Sequence, residues 1–475
     1  MRTKALQIAG LLILGLWAPA NAHTPADPPL VPYLAIEGRE APAQSLEQAM
    51  ADIGVTSLSY LTIVDGKVAT TRVIGEAFEG DGQEPRFQAA SISKPVSALG
   101  ILRLADLHGL DIDADINDYL KGLKIDYSGH DGGGKVTIRR LLSHRAGLKV
   151  SGFPGYEPEE TIPSTLDVLE GRGNTEAVTL FQTPGSGFSY SGGGYTVLQL
   201  LVEEVAGGSF ADFMEREVLV PLGMVDSHFR DEPGGLHPTA KDGKGQPYDV
   251  PYHVYPEKAA AALWTTAPDL ARFLIAADAI TAGDMPDMLS PELASQWLTV
   301  PEGEGPEQYA LGFGVERGEG YDIFRHNGSN FGFKSEMFFD RVSKNGFVAM
   351  VDGERGYALN SMLARGFAHS IGLEIMEQRK LVPVAVGKQD WAAIEGVWTF
   401  PDGPLAGRSF RFASLSPSDM RAVEIATGEA SKLLAIGPME FIDTETTSSL
   451  VFEADAEGKL EAIFAGRFRM VKVDP

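Results

Sequence analysis

The sequence predicts an α/β (α+β) fold, an antiparallel sheet flanked by helices with a helical lobe, followed by a small C-terminal β-barrel. Three observations point there. The stretch TSLSYLTIVDGKVATTRVIGEA alternates apolar and polar residues across Asp65-Gly66, the pattern of two half-buried strands joined by a tight turn. YALGFGVE, YDIFRHNGSNFGFKSEMFFD and NGFVAMVDGE read as consecutive antiparallel strands far downstream, and helical patterns fill the interval between the two groups. From residue 394 onward, short strand-like stretches separated by turn signals suggest a barrel or sandwich of roughly 85 residues.

Taken in order, a Pro-rich leader (Pro25 to Pro32) precedes SLEQAMADIGV, a short helix candidate. After the hairpin comes RFQAASISKPVSALGILRLADLHGL, where Val96, Leu99, Leu102, Leu104 and Leu107 recur at helical spacing. Pro95 is tolerated there because first-turn N–H groups have no intrahelical partner. VTIRRLLSHRAGL reads as another short helix, closed by Gly147. Residues 150 to 190, rich in Gly, Pro, Ser and Thr, read as a long loop region. YTVLQLLVEEVAGGSFADFMEREVLVPLGM gives two helices broken at Gly207-Gly208, and TTAPDLARFLIAADA a helix with Thr266 as its N-cap. ALNSMLARGFAHSIGLEIM reads as a closing helix. A boundary is expected at RKLVPVAVGKQD, dividing a domain over residues 23–380 from a barrel over 388–475.

Composition narrows the function. The chain has 475 residues, 44% hydrophobic and 22% charged, with a formal net charge of −25. That balance argues against a nucleic-acid partner or an anionic membrane surface. The N-terminus carries Arg2 and Lys4, an apolar run from Ile8 to Ala18 and the A-x-A site Ala20-Asn21-Ala22. These features predict a Sec-type signal peptide over residues 1–22, cleaved after Ala22, and a periplasmic or secreted protein beginning at His23. The run is too short for a membrane anchor. Cysteine is absent, which removes disulfides and thiolate metal sites. HExxH is absent too, and no His/Asp/Glu cluster has zinc spacing, so no metal or cofactor is expected.

Three stretches carry candidate chemistry. In SISK, Ser91 and Lys94 face the same way on a helix, near its positive dipole end. They read either as an activated nucleophile with its amine or as a capping serine with a surface lysine. In GFSYSGGGY, Tyr190 precedes three glycines that let backbone approach a ligand closely. A tyrosine beside a lysine can act as a general base; the other reading is a packing tyrosine in a turn. In RHNGSNFGF, His326, Asn327 and Gly328 precede Ser329 on a stretch read as a sheet-edge strand. The amides of Ser329 and Ser91 would form an oxyanion hole, whereas His326 alone reads equally as a satisfied core or surface histidine.

In this order, Ser-x-x-Lys at the head of an apolar helix, VTIRRLLSHRAGL, YSGGGY, PLGM and His-x-Gly on a late strand resemble one family. It is the class C β-lactamase and penicillin-binding-protein type of serine hydrolase, which includes DD-peptidases, D-aminopeptidases and lactamase-like esterases. The resemblance runs from about residue 35 to about residue 375 and implies a β-lactamase/transpeptidase-like fold. It implies Ser91 as the acylated nucleophile, Lys94 as the lysine that orients it and shares its proton, and Tyr190 as the partner in general base and acid steps. His326, Asn327 and Gly328 match the third motif, Lys-Thr-Gly in lactamases and His-x-Gly in several peptidases and esterases, and Ser329 supplies the second oxyanion amide. SHRAG matches a mostly structural signature, so His144 receives no catalytic role. The C-terminal barrel resembles the lipocalin-like module appended to some relatives; an interior filled by side chains is expected at its size.

Two positions depart from the lactamase pattern. Tyr-x-Asn becomes Tyr190-Ser191-Gly192, which removes an amide that contacts the acylamino side chain of the substrate. Lys-Thr-Gly becomes His326-Asn327-Gly328, and a mostly neutral imidazole holds a carboxylate less well than a permanent cation. The expectation is an exported hydrolase of esters or amides in small acyl or short peptide substrates, not an efficient β-lactamase. The alternatives are a true class C-like β-lactamase or DD-carboxypeptidase and, in another class, a non-catalytic protein that binds cell-wall fragments.

Overall fold

The computed structural model describes residues 27–40, 44–75, 84–130, 134–301, 308–401, 405–444, 446–455, 457–466 and 468–473. Residues 1–22, read as a signal peptide, and His23 lie outside them. The central sheet has six antiparallel strands, β1 (Leu58–Val64), β2 (Lys67–Ile74), β3 (Gly314–Gly318), β4 (Tyr321–Asn330), β5 (Phe333–Asp340) and β6 (Asn345–Asp352), in the order β2-β1-β6-β5-β4-β3. Its first hairpin turns where predicted. Asp65 (φ 50°) and Gly66 (φ 74°) both take the left-handed conformation, whose twist matches that of the flanking strands.

Strand alternation gives the sheet two apolar faces. Leu58 and Tyr60 of β1 pack with α1 (Leu46–Ile53) and a later helix over Gly356–Ser370, while Leu61 and Ile63 face the larger core of the helical lobe. Helix α1 is closed at both ends by its sequence: the Ser45 side chain accepts from the Gln48 amide, and Gly54 takes φ 82°. On the opposite face lie α2 (Ser93–His108), α3 (Ile138–Leu142), α4 (Gly192–Ala206) and α5 (Ala267–Ala282). The predicted cap of α5 is present, with Thr266 Oγ1 accepting from the Asp269 amide. Among the described residues, no helix is long and apolar enough to cross a membrane.

Three local expectations are corrected. Helix α3 stops at Ser143, four residues before Gly147; His144 takes the left-handed turn itself, at φ 57°. Gly147 is left-handed too, at φ 72°, and a Cβ there would lie 2.3 Å from the Gln182 carbonyl oxygen. The stretch with His326 is the second strand from the edge, not the edge strand. Its outer neighbour β3 pairs with Tyr321 to Arg325, however, so among the described residues no strand covers the outer edge of β4 from His326 onward. The glycines after Ser191 are not loop but the first turn of α4, where Phe153, Val178 and the Lys149 carbonyl fill the space their Cβ atoms would need.

The C-terminal segment is a closed antiparallel barrel of eight strands between Gly396 and Val473. It includes Asp419–Glu424, which the sequence pattern did not single out, and 460–473 forms two strands rather than one. Its interior is filled by Trp398, Phe412, Met420, Phe441, Phe452 and Met470. A short helix (Lys388–Ile394) adds Ile394, whose carbonyl accepts from Trp398 Nε1 at 2.7 Å. The barrel is tied to the rest of the chain by the Arg39 guanidinium, which forks onto Asp419 at 2.7 and 2.9 Å. A small apolar cluster of Leu34, Ile36, Leu381, Leu434 and Ile442 adds to this seam.

Candidate active site

Ser91 sits in a single 3₁₀ turn (Ala90–Ile92) that runs directly into α2. The turn starts on strained backbone, with Ala90 at φ 50°, a conformation that costs a non-glycine residue about 1 kcal/mol or more. Helix α2 is buried along nearly its whole length, so Lys94 extends through the core and is only 2% exposed. Its ammonium donates to Ser91 Oγ at 3.0 Å and to the Ala260 carbonyl at 2.9 Å. The Tyr190 ring centre lies 4.9 Å from Lys94 Nζ. The amine that bonds the nucleophile candidate therefore also lies against the Tyr190 ring, although Tyr190 is 96 residues beyond Lys94. No carboxylate pairs with Lys94 among the described residues.

Strand β4 forms the opposite wall. The hairpin joining β4 to β5 pairs Asn330 with Phe333 and Gly328 with Ser335. In an antiparallel ladder, hydrogen-bonded and non-hydrogen-bonded pairs alternate. Asn330 and Gly328 bond to β5, so Asn327 and Ser329 turn their backbone groups to the uncovered outer edge. Both residues are exposed. Gly328 lies flat against the nucleophile turn: a Cβ there would be 2.2 Å from the Ala89 carbonyl oxygen and 2.5 Å from Ser335 Oγ. Ser335 itself, missed in the sequence, donates to that same Ala89 carbonyl at 2.7 Å. Gly192 is buried, its Cα against the Phe153 ring.

His326 is buried and held on both sides. Its Nδ1–H donates to the Asn327 carbonyl at 2.6 Å, and its Nε2 lies 2.9 Å from the Tyr309 hydroxyl, which is also 3.1 Å from the Gly312 carbonyl. Burial, reinforced by the nearby Lys94 charge, pushes its pKa down to about 3. An unfolded histidine titrates near 6.5, so between those pH values the unfolded chain binds a proton that the folded chain does not. The resulting stability is complete above about pH 6.5 and is lost as pH falls toward 3. His326→Gln is therefore expected to lose up to about 1.5 kcal/mol less than wild type between pH 6.5 and 5, measured by urea unfolding. Parallel pH dependence of the two proteins would refute this. Tyr309 had no motif to announce it; only the packing beside α2 brings it to His326.

The protein-family model Beta-lactamase matches residues 43–365. The chain is similar to penicillin-binding protein 4* of Bacillus subtilis (strain 168), 31% identical over 173 residues, which cover 36% of each chain. It thus spans about a third of that relative's length. It is also similar to esterase EstB of Burkholderia gladioli, 29% identical over 218 residues, covering 42% of this chain and 54% of the esterase. In three dimensions it resembles the octameric penicillin-binding protein homologue from Pyrococcus abyssi, with a TM-score of 0.59 at 21% identity over 90% of this chain and 99% of the other.

Proposed function

Because the chain belongs to the beta-lactamase family, we propose that it is an exported serine hydrolase that forms an acyl-enzyme at Ser91 and cleaves ester or amide bonds of small acyl substrates. The observation that carries this reading is the 3.0 Å hydrogen bond from the buried Lys94 ammonium to Ser91 Oγ, with Tyr190 against the same amine. With one proton removed from the Lys94–Tyr190 pair, Ser91 Oγ attacks the substrate carbonyl and passes its proton to that pair, which returns it to the leaving alcohol or amine as its bond to the carbonyl carbon breaks. Water, activated by the same pair, then releases the acid. The amides of Ser91 and Ser329 hold the developing oxyanion, a contribution worth about 100- to 1000-fold per donor.

The third motif supports esters and amides over β-lactams. His326 is kept neutral by burial and by Lys94, so it offers no cation to a substrate carboxylate. A small molecule or short peptide lacking that carboxylate fits the site. The net charge of −25 speaks against a nucleic-acid partner, and the N-terminal pattern of residues 1–22 supports a periplasmic or secreted location.

The test is a substrate panel on the purified protein. Turnover of p-nitrophenyl esters or D-amino-acid amides is expected, with cephalosporins hydrolysed slowly, and a fluorophosphonate should add its mass to the peptide containing Ser91. Fast cephalosporin hydrolysis without ester or amide turnover would replace this reading with that of a true β-lactamase. A folded protein that takes no label would favour a binding protein.

A further inference from the structure

We propose that His144 is a positioning residue that clamps Tyr190 in the site, with its backbone carbonyl, its ring nitrogen and its ring face each holding one part of the Phe188–Ser191 segment. The inference rests on the reading of Tyr190 as a proton-transfer partner. The His144 carbonyl accepts from the Ser189 amide at 2.7 Å, and its Nδ1 accepts from the Ser191 amide at 3.1 Å. One residue thus fastens the backbone on both sides of Tyr190. Its ring also lies against the Tyr190 ring, with centres 4.2 Å apart.

This clamp explains two features that helix termination alone does not. The first is the left-handed backbone at His144, φ 57°. Histidine tolerates that region better than most residues, and the turn leaves both the carbonyl and the ring directed at the 189–191 segment. The second is the protonation state that the bonds demand. Nδ1 accepts a hydrogen bond, so the neutral ring carries its proton on Nε2, which is buried with no partner among the described residues. A second proton would break the bond to Ser191. The groups around the ring disfavour that proton: Lys94 and Arg145 act on it electrostatically, and the remaining neighbours, none of them an anion, are His326, Tyr190, Tyr195, Tyr309 and Phe188. Burial first, then Lys94, holds its pKa well below the ordinary range, so the clamp stays closed through the working range of the enzyme.

The experiment compares His144→Asn, His144→Gln, His144→Ala and Tyr190→Phe in ester hydrolysis from pH 5 to 10, at a temperature well below every melting point. Asparagine tolerates the left-handed backbone and places its Oδ1 near the position of Nδ1, whereas glutamine fills the volume without an acceptor there. We expect Asn to stay within about threefold of wild type in kcat. Gln and Ala should lose about 10- to 100-fold in kcat, the scale of a small misplacement of a reacting group, with KM nearly unchanged and the basic limb of the pH profile shifted as in Tyr190→Phe. If Ala does not fold, Asn against Gln decides. Equal losses in Asn and Gln, or kcat within threefold for Gln, would overturn the clamp. Wild-type activity in Tyr190→Phe would instead refute the role of Tyr190 itself.

Discussion

Replacing Ser91 with alanine is expected to reduce kcat/KM for p-nitrophenyl esters by at least about 10,000-fold, the scale on which removal of a serine nucleophile acts in other serine hydrolases. The fold should survive. The Ser91 side chain is only part-buried and is bonded to Lys94, and Lys94 keeps its second acceptor, the Ala260 carbonyl. A melting temperature close to wild type together with complete loss of fluorophosphonate labelling would locate the defect in chemistry. Turnover above about one per cent of wild type, far more than a residual site supplies, would mean that another group forms the covalent bond.

Gly328→Ala is expected to cost about 100- to 1000-fold in kcat/KM, although the added group is one methyl that touches no substrate. The methyl carbon would lie 2.2 Å from the Ala89 carbonyl oxygen and 3.0 Å from Ala90 Cβ. Neither atom can yield cheaply. The Ala89 carbonyl is backbone fixed by Ser335 Oγ, and Ala90 is already held at φ 50°. Relief has to come from parting β4 and the 3₁₀ turn, which separates Ser91 from the Ser329 amide. A misplacement near 1 Å and the loss of one oxyanion donor each act on this scale. Overpacking should also lower stability by about 1–3 kcal/mol. Gly152→Ala is the control, since nothing lies within 4 Å of a Cβ there, and it should behave as wild type. Steady-state kinetics and thermal melts of the two variants decide the matter; Gly328→Ala within threefold of wild type would show that β4 and the turn are not rigidly coupled.

The elements that the sequence predicted best are those whose signals are local. The Asp65-Gly66 turn, the Thr266 cap and the Ser91-x-x-Lys94 spacing each lie within a few residues of chain. The mistakes have a common source as well. The sequence reads Gly147 as a helix cap and the glycines after Ser191 as room for a ligand, but Gly147 (φ 72°) turns the chain beyond the helix against Gln182, and the glycines make room for Phe153 and Val178. The strand with His326 reads as an edge because nothing in its own residues tells that β3 pairs with its first half. Asp419–Glu424 went unnoticed because two charged ends flank its few apolar residues, and only pairing on both sides makes it a barrel strand.

By itself the sequence determined the order of strands and helices, the barrel that follows them and the three stretches able to carry acyl-transfer chemistry, because caps, turns and periodicity act over three or four residues. Only the tertiary structure decided that the Lys94 amine lies against the Tyr190 ring, that His326 is buried beside Tyr309 and that His144 grips the segment around Tyr190. These contacts join parts of the chain with no local relation to one another. They exist because the apolar faces of α2, α4 and the sheet have one mutual packing that buries them all, and a short-range pattern carries no record of that packing.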